Sequence, residues 1–146
     1  MLDRFFKEKD QIYKDLARGK LQVFPGILQF INHLTTYGYQ KSVASSGTLD
    51  KILFSLNVTG IKQYFSIVTS SDEVEYGKPA PDLFLLTAQK MGIDPKHCLV
   101  IEDSLAGIEA GISAGMFTVG ITNTFSRENL GRSNPNLIIQ NVMELT

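Results

Sequence analysis

The stretch "LVIEDSLAGIEAG", residues 99–111, decides how the rest of the chain is read. Leu99, Val100 and Ile101 make a short apolar run, as in a strand covered on both faces. Glu102 and Asp103 follow at once, and Ser104 opens a helix-forming stretch. Two adjacent acids in a low dielectric repel each other unless a cation joins them. Oxygen-only donors select a hard ion, and Mg²⁺ takes only one or two protein carboxylates, with water and phosphate completing its shell. Asp103 or Ser104 equally suits the cap of the helix that follows. Spacing leaves the metal and cap readings level.

Outward from this stretch, strands and helices alternate. The pattern predicts strands over 39–46, 64–70, 97–103, 116–122 and 137–140. It predicts helices over 48–58, 82–92 and 104–115, and an earlier one over 27–38 that Gly38 closes. Such alternation means βαβ units and a mostly parallel sheet. Residues 2–17 read as an amphipathic helix with Leu2, Phe5, Phe6, Ile12, Tyr13, Leu16 and Ala17 near one face. That face is expected to pack on the core or on a second molecule. "RGKLQVFPG" (18–26) reads as a linker.

Composition narrows the function classes. With 146 residues, 43% hydrophobic and 20% charged, the chain suits one soluble domain with a small appendage. A net charge of −1 gives no field for nucleic acid or anionic membrane, so neither is expected as a partner. The single cysteine, Cys98, excludes an internal disulfide framework; it fits a reducing, cytoplasmic setting and reads as a packed thiol. His33 and His97 lack ligand spacing for zinc. No apolar run approaches the roughly 20 residues of a membrane span, and the first residues lack a signal-peptide layout.

Chemistry in parallel sheets gathers at the carboxyl ends of the strands. "VASSG" (43–47) puts Ser45, Ser46 and Gly47 at one such end, where hydroxyls and backbone N–H groups can cradle a phosphoryl oxygen. In "GKPAPD" (77–82), Gly77 permits an unusual backbone angle and Pro79 restricts Lys78, which would make a stiff point charge for phosphate. Gly120 to Asn123 complete the rim. Taken singly, each has an ordinary reading: a serine in a turn, a solvated lysine at a helix entry.

Together, "VASSG", "GKPAPDLF" and "CLVIEDSLAGIEAGISAGM" resemble motifs two, three and four of the haloacid dehalogenase superfamily, in its phosphatase and β-phosphoglucomutase branch. The resemblance runs from about residue 17 to the end. It implies a Rossmann-like α/β parallel sheet with flanking helices and a magnesium-dependent reaction on a small phosphorylated metabolite. Ser45 would hydrogen-bond the transferring phosphoryl group, with Ser46 and Gly47 beside it. Lys78 would hold its charge and orient the nucleophile. Asp103 would ligate Mg²⁺, with Glu102 a direct or water-mediated ligand. "EDS" argues against the dehalogenase branch, which needs no magnesium. Residues 1–19 would be the last helix of a helical cap and 20–146 an incomplete core.

The family's reaction begins with an aspartate nucleophile in an Asp-x-Asp pattern after the first strand, forming an aspartyl-phosphate. No Asp-x-Asp occurs in the 146 residues. The resemblance therefore implies that the first, central strand is missing and that this chain alone is inactive. Its flanking strands would close up and pair, take a strand from a second copy or another chain, or receive one from a separate N-terminal fragment. The alternative is a degenerate, non-catalytic module that binds a phosphorylated ligand or a protein. A receiver-like phosphoacceptor has the wrong order, because Lys78 precedes Glu102 and Asp103.

Overall fold

Local chemistry marks the ends of several helices of this chain. The computed structural model describes the backbone of residues 2–146 and the side chains from residue 8 onward. Its elements are α1 (Leu2–Ala17), α2 (Ile27–Thr36), β1 (Ser42–Ser45), α3 (Leu49–Val58), β2 (Ile67–Ser70), α4 (Asp82–Met91), β3 (Leu99–Glu102), α5 (Leu105–Ser113), β4 (Phe117–Ile121), α6 (Arg127–Gly131) and β5 (Leu137–Ile139). Thr48 caps α3 by accepting from Lys51 N–H, and Ser126 caps α6 by accepting from Asn129 N–H. Gly92 ends α4 at φ 69°, a left-handed angle that glycine adopts without steric cost.

Among the described residues all strand pairs are parallel, but they form two sheets. β1 pairs with β2, from Ser42↔Ile67 to Ser45↔Ser70. β3 pairs with β4 and β4 with β5, giving the order β3-β4-β5. Direct closure of β1 onto β3, one of the three outcomes expected for a missing central strand, does not occur among the described residues. The two sheets nevertheless share a core. Ala44 of β1 packs against a cluster holding Phe84 and Ala88 of α4, Val100 of β3 and Ala110 of α5. On the other face, Ile101 of β3 joins Phe30, Val119, Ile121, Ile139 and Val142.

Burial follows that division. β4, paired on both edges, buries Thr118 to Ile121. β2 buries Thr69 and Ser70 completely, yet β1, its inner neighbour, buries none of its four residues. On β3, Leu99 is 50% exposed. A parallel sheet ordinarily buries its middle best; here the middle is the more open part.

Several sequence expectations shift. The strands over 39–46 and 64–70 shorten to Ser42–Ser45 and Ile67–Ser70, and Tyr39 stays exposed. α6 and the short 3₁₀ turns were not foreseen, because five residues or fewer carry no readable period. On α1, Ile12 and Leu16 are exposed rather than inward. The helix docks on α3 through other residues: Tyr13 hydrogen-bonds Ser55 at 3.1 Å, Lys14 pairs with Asp50, and Asp10 accepts from Thr48 at 3.3 Å. The expected inward side chains of Leu2, Phe5 and Phe6 lie outside the described residues.

Candidate active site

Lys78 sits in the turn before α4, where Ala80 N–H donates to Gly77 C=O at 3.0 Å and the Lys78–Pro79 peptide is cis. Gly77 does not use a left-handed angle, contrary to expectation; the prolines shape the turn. Pro81 stands at the N-cap of α4, and Asp82 follows at the helix's positive end. The lysine then runs inward over the Phe84 ring, its Nζ 4.7 Å from the centroid. It forms an ion pair with Glu102 Oε1 and reaches Ala44 C=O at 3.5 Å. The two paired side chains are only 9% and 10% exposed, so neither is the solvated group that its sequence context allowed.

Glu102 is held from its other side as well. Ser104 Oγ donates to Glu102 Oε2 at 3.0 Å and accepts from Gly107 N–H at 3.0 Å. Ser104 is therefore the cap of α5, while Asp103 is free of that task. Gly107 is required here because a Cβ on it would overlap the Glu102 carboxylate. Asp103 turns elsewhere: its Oδ2 accepts from Thr124 Oγ1 at 2.5 Å, in the loop after β4.

At the end of β1, Ser45 Oγ accepts from Gly47 N–H at 3.3 Å, which leaves the serine's own proton to donate. Ser46 is exposed; its carbonyl and that of Gly47 accept from Ser71 Oγ at 2.9 and 3.3 Å. Asp72 receives Leu49 N–H at 3.0 Å, at the start of α3. The turn after β2 thus fixes the loop after β1.

Lys78 ties the two sheets together at their carboxyl ends. It touches Ala44, the residue before Ser45, and Glu102, the residue before Asp103. Ser71, Asp72 and Gly107 were not identified as site supports from sequence, and Ser104 was read only as one of two candidate caps. Only the caps could have been found, since a serine three residues before an unpaired helix N–H is a readable signal. Among the described residues no three of His, Cys, Asp and Glu converge as a metal cage. With Glu102 engaged by Lys78 and Ser104, Asp103 is the rim carboxylate left to meet a cation, and an oxygen donor of this kind suits Mg²⁺ better than zinc. His33 stacks on Tyr37, centroids 4.6 Å apart. Cys98 is half-buried, donates to Asp94 C=O at 3.6 Å, and has its thiol pKa pushed up by burial and then by Asp94.

The haloacid dehalogenase-like hydrolase family model matches residues 2–115. Over 137 residues the chain is 31% identical to phosphoglycolate phosphatase of Escherichia coli (strain K12), covering 93% of this chain and 54% of that protein. Over 103 residues it is 39% identical to a bifunctional riboflavin kinase/FMN phosphatase of Arabidopsis thaliana, covering 70% of this chain and 27% of that protein. Among solved structures, β-phosphoglucomutase from Clostridium difficile superposes with a TM-score of 0.85 at 29% identity, over 98% of this chain and 62% of that one. The chain spans about half the length of the phosphoglycolate phosphatase it matches. No helix among the described residues is long and apolar enough to cross a membrane.

Proposed function

Since the chain belongs to the haloacid dehalogenase-like hydrolase family, we propose that it is the phosphate- and metal-gripping part of a Mg²⁺-dependent phosphatase or phosphomutase. Its substrate is a small phosphorylated metabolite, and transfer runs through an aspartyl-phosphate. One observation carries the reading: a buried lysine bridges the strand end beside Ser45 and the strand end beside Asp103.

Roles follow from donor counts. Ser45 Oγ, accepting from Gly47 N–H, turns its hydroxyl proton toward a phosphoryl oxygen. Gly47 and the exposed Ser46 line the same turn. Lys78 has three ammonium protons; Glu102 and Ala44 C=O engage it, and the remaining proton serves the phosphate. Glu102 is chiefly the lysine's counter-ion, and its position beside Asp103 lets it assist the metal. Asp103 is the principal Mg²⁺ ligand, steadied by Thr124. Bound there, Mg²⁺ would neutralise charge on the phosphate. The attacking carboxylate is not among these residues, since the 146-residue sequence has no Asp-x-Asp, and residues 1–19 act as the last helix of a cap. A cytoplasmic setting agrees with the single thiol.

The test measures binding and turnover separately. Calorimetry should detect inorganic phosphate in the presence of Mg²⁺, with the heat lost in Lys78→Met and in Asp103→Asn. The chain alone should not hydrolyse p-nitrophenyl phosphate. Phosphate binding that survives both substitutions sinks the proposal, as does steady turnover by the pure chain.

A further inference from the structure

We infer that Phe84 is a positioning residue for the Lys78 ammonium: the π face of its ring, and not its bulk alone, holds the cation where it meets both strand ends. The inference rests on the phosphoryl-transfer reading for the task of that lysine, and on geometry alone for the grip.

Among the described residues three groups hold the ammonium. Glu102 Oε1 forms the ion pair, Ala44 C=O accepts at 3.5 Å, and the centroid of the Phe84 ring lies 4.7 Å from Nζ. These contacts differ in kind. The carboxylate attracts along one line and occupies a proton, so by itself it lets the ammonium swing about it. The Ala44 contact is at the outer limit of a hydrogen bond and restrains little. The negative face of a ring attracts the whole cation without claiming a particular N–H. It therefore adds a second restraint on position and leaves donors free for a phosphoryl oxygen.

A ring can position a cation only if it is itself fixed. Phe84 is buried and packs with Ala88, Val100 and Ala110. Its N–H donates to Pro81 C=O at 3.1 Å, at the start of α4. Ala44 of β1 packs against the same cluster, so the ring and the carbonyl that Lys78 reaches belong to one packed unit. The lysine side chain is 9% exposed, and a cation–π contact is strongest when the cation has lost its water. An aliphatic residue of similar volume would fill the same space and present no negative face to the ammonium.

The test places mono-, di- and trifluorinated phenylalanine at position 84 of the full chain. Fluorine keeps the ring's shape and weakens its negative face step by step. Cyclohexylalanine, with the bulk and no π face, is the end point. Each is also made in a Lys78→Met/Glu102→Gln background, which has no cation and strands no buried acid. Urea unfolding of the Lys78 chain should show the folding equilibrium constant falling stepwise, about tenfold by the trifluorinated ring, with no such series in the neutral background. Calorimetry with inorganic phosphate and Mg²⁺ should show affinity falling in the same order, by about tenfold from end to end. Equal effects in both backgrounds, or a series indifferent to fluorine content, overturn the inference and return Phe84 to plain packing. So does a phosphate affinity that stays constant across the series. If the parent chain takes up no phosphate, the phosphoryl-transfer reading fails, and the urea series alone decides whether the ring holds the lysine.

Discussion

Gly107→Ala is the sharpest test of the site's construction. An added Cβ would overlap the Glu102 carboxylate, so the acid must leave its place. Leaving breaks the pair with Lys78, whose side chain is 9% exposed, and the hydrogen bond from Ser104. Breaking a buried ion pair costs about 3–5 kcal/mol. Alanine returns about 1 kcal/mol of helix propensity. The net expectation is a loss of about 2–4 kcal/mol, or a Tm drop of roughly 6–12 °C near 3 kcal/mol in a chain of this size. Urea unfolding and calorimetry measure it. Gly131→Ala is the control: its Cβ would meet only Ile138 Cδ1 at 3.9 Å, so it should be neutral or stabilising. In a Glu102→Ala background the clash has no partner, and Gly107→Ala should become neutral or stabilising there. If Gly107→Ala is as stable as the parent, or equally harmful with and without Glu102, the packing of Glu102 against α5 is wrong.

Other outcomes follow from the same geometry. Lys78→Met should cost about 3 kcal/mol by stranding Glu102, read by urea titration. With the Cys98 thiol raised by burial, its reaction with a disulfide reagent should be slow at neutral pH and accelerate above the ordinary thiol range. The pKa of the Glu73 carboxyl is lowered by the hydrogen bond it accepts from Lys90 and by the Ser70 N–H. Its contribution is therefore present above the unfolded value near 4.5 and fades as pH falls through the lower folded value, so Glu73→Gln should be less stable than the parent near neutrality and match it in strong acid. Mg²⁺ should raise Tm in the parent and lose that effect in Asp103→Asn, measured against an EDTA blank.

Much of this was legible in the letters. β3, α5 and their junction could be read because an apolar run, a polar switch and a small-residue helix succeed one another without ambiguity. α4 could be read from Pro81 and Gly92 at its ends. The convergence of Lys78 with Glu102 was not visible as a contact, since the partners lie 24 residues apart. Only the order of strand, turn and helix hinted at it. The exposure of Ile12 and Leu16 was missed because a helical face predicts what can be buried, and docking on α3 selected Tyr13 instead. The split into two sheets also lay beyond periodicity, which counts strands and says nothing of vacancies between them.

Glu102 and Asp103 are neighbours in the chain, yet one looks toward α4 and α5 and the other toward the loop after β4. Spelling therefore matters as much as content at this junction. A transposed Asp-Glu would keep formula and charge, but the shorter acid would fall short of its lysine and the longer one would overshoot its threonine.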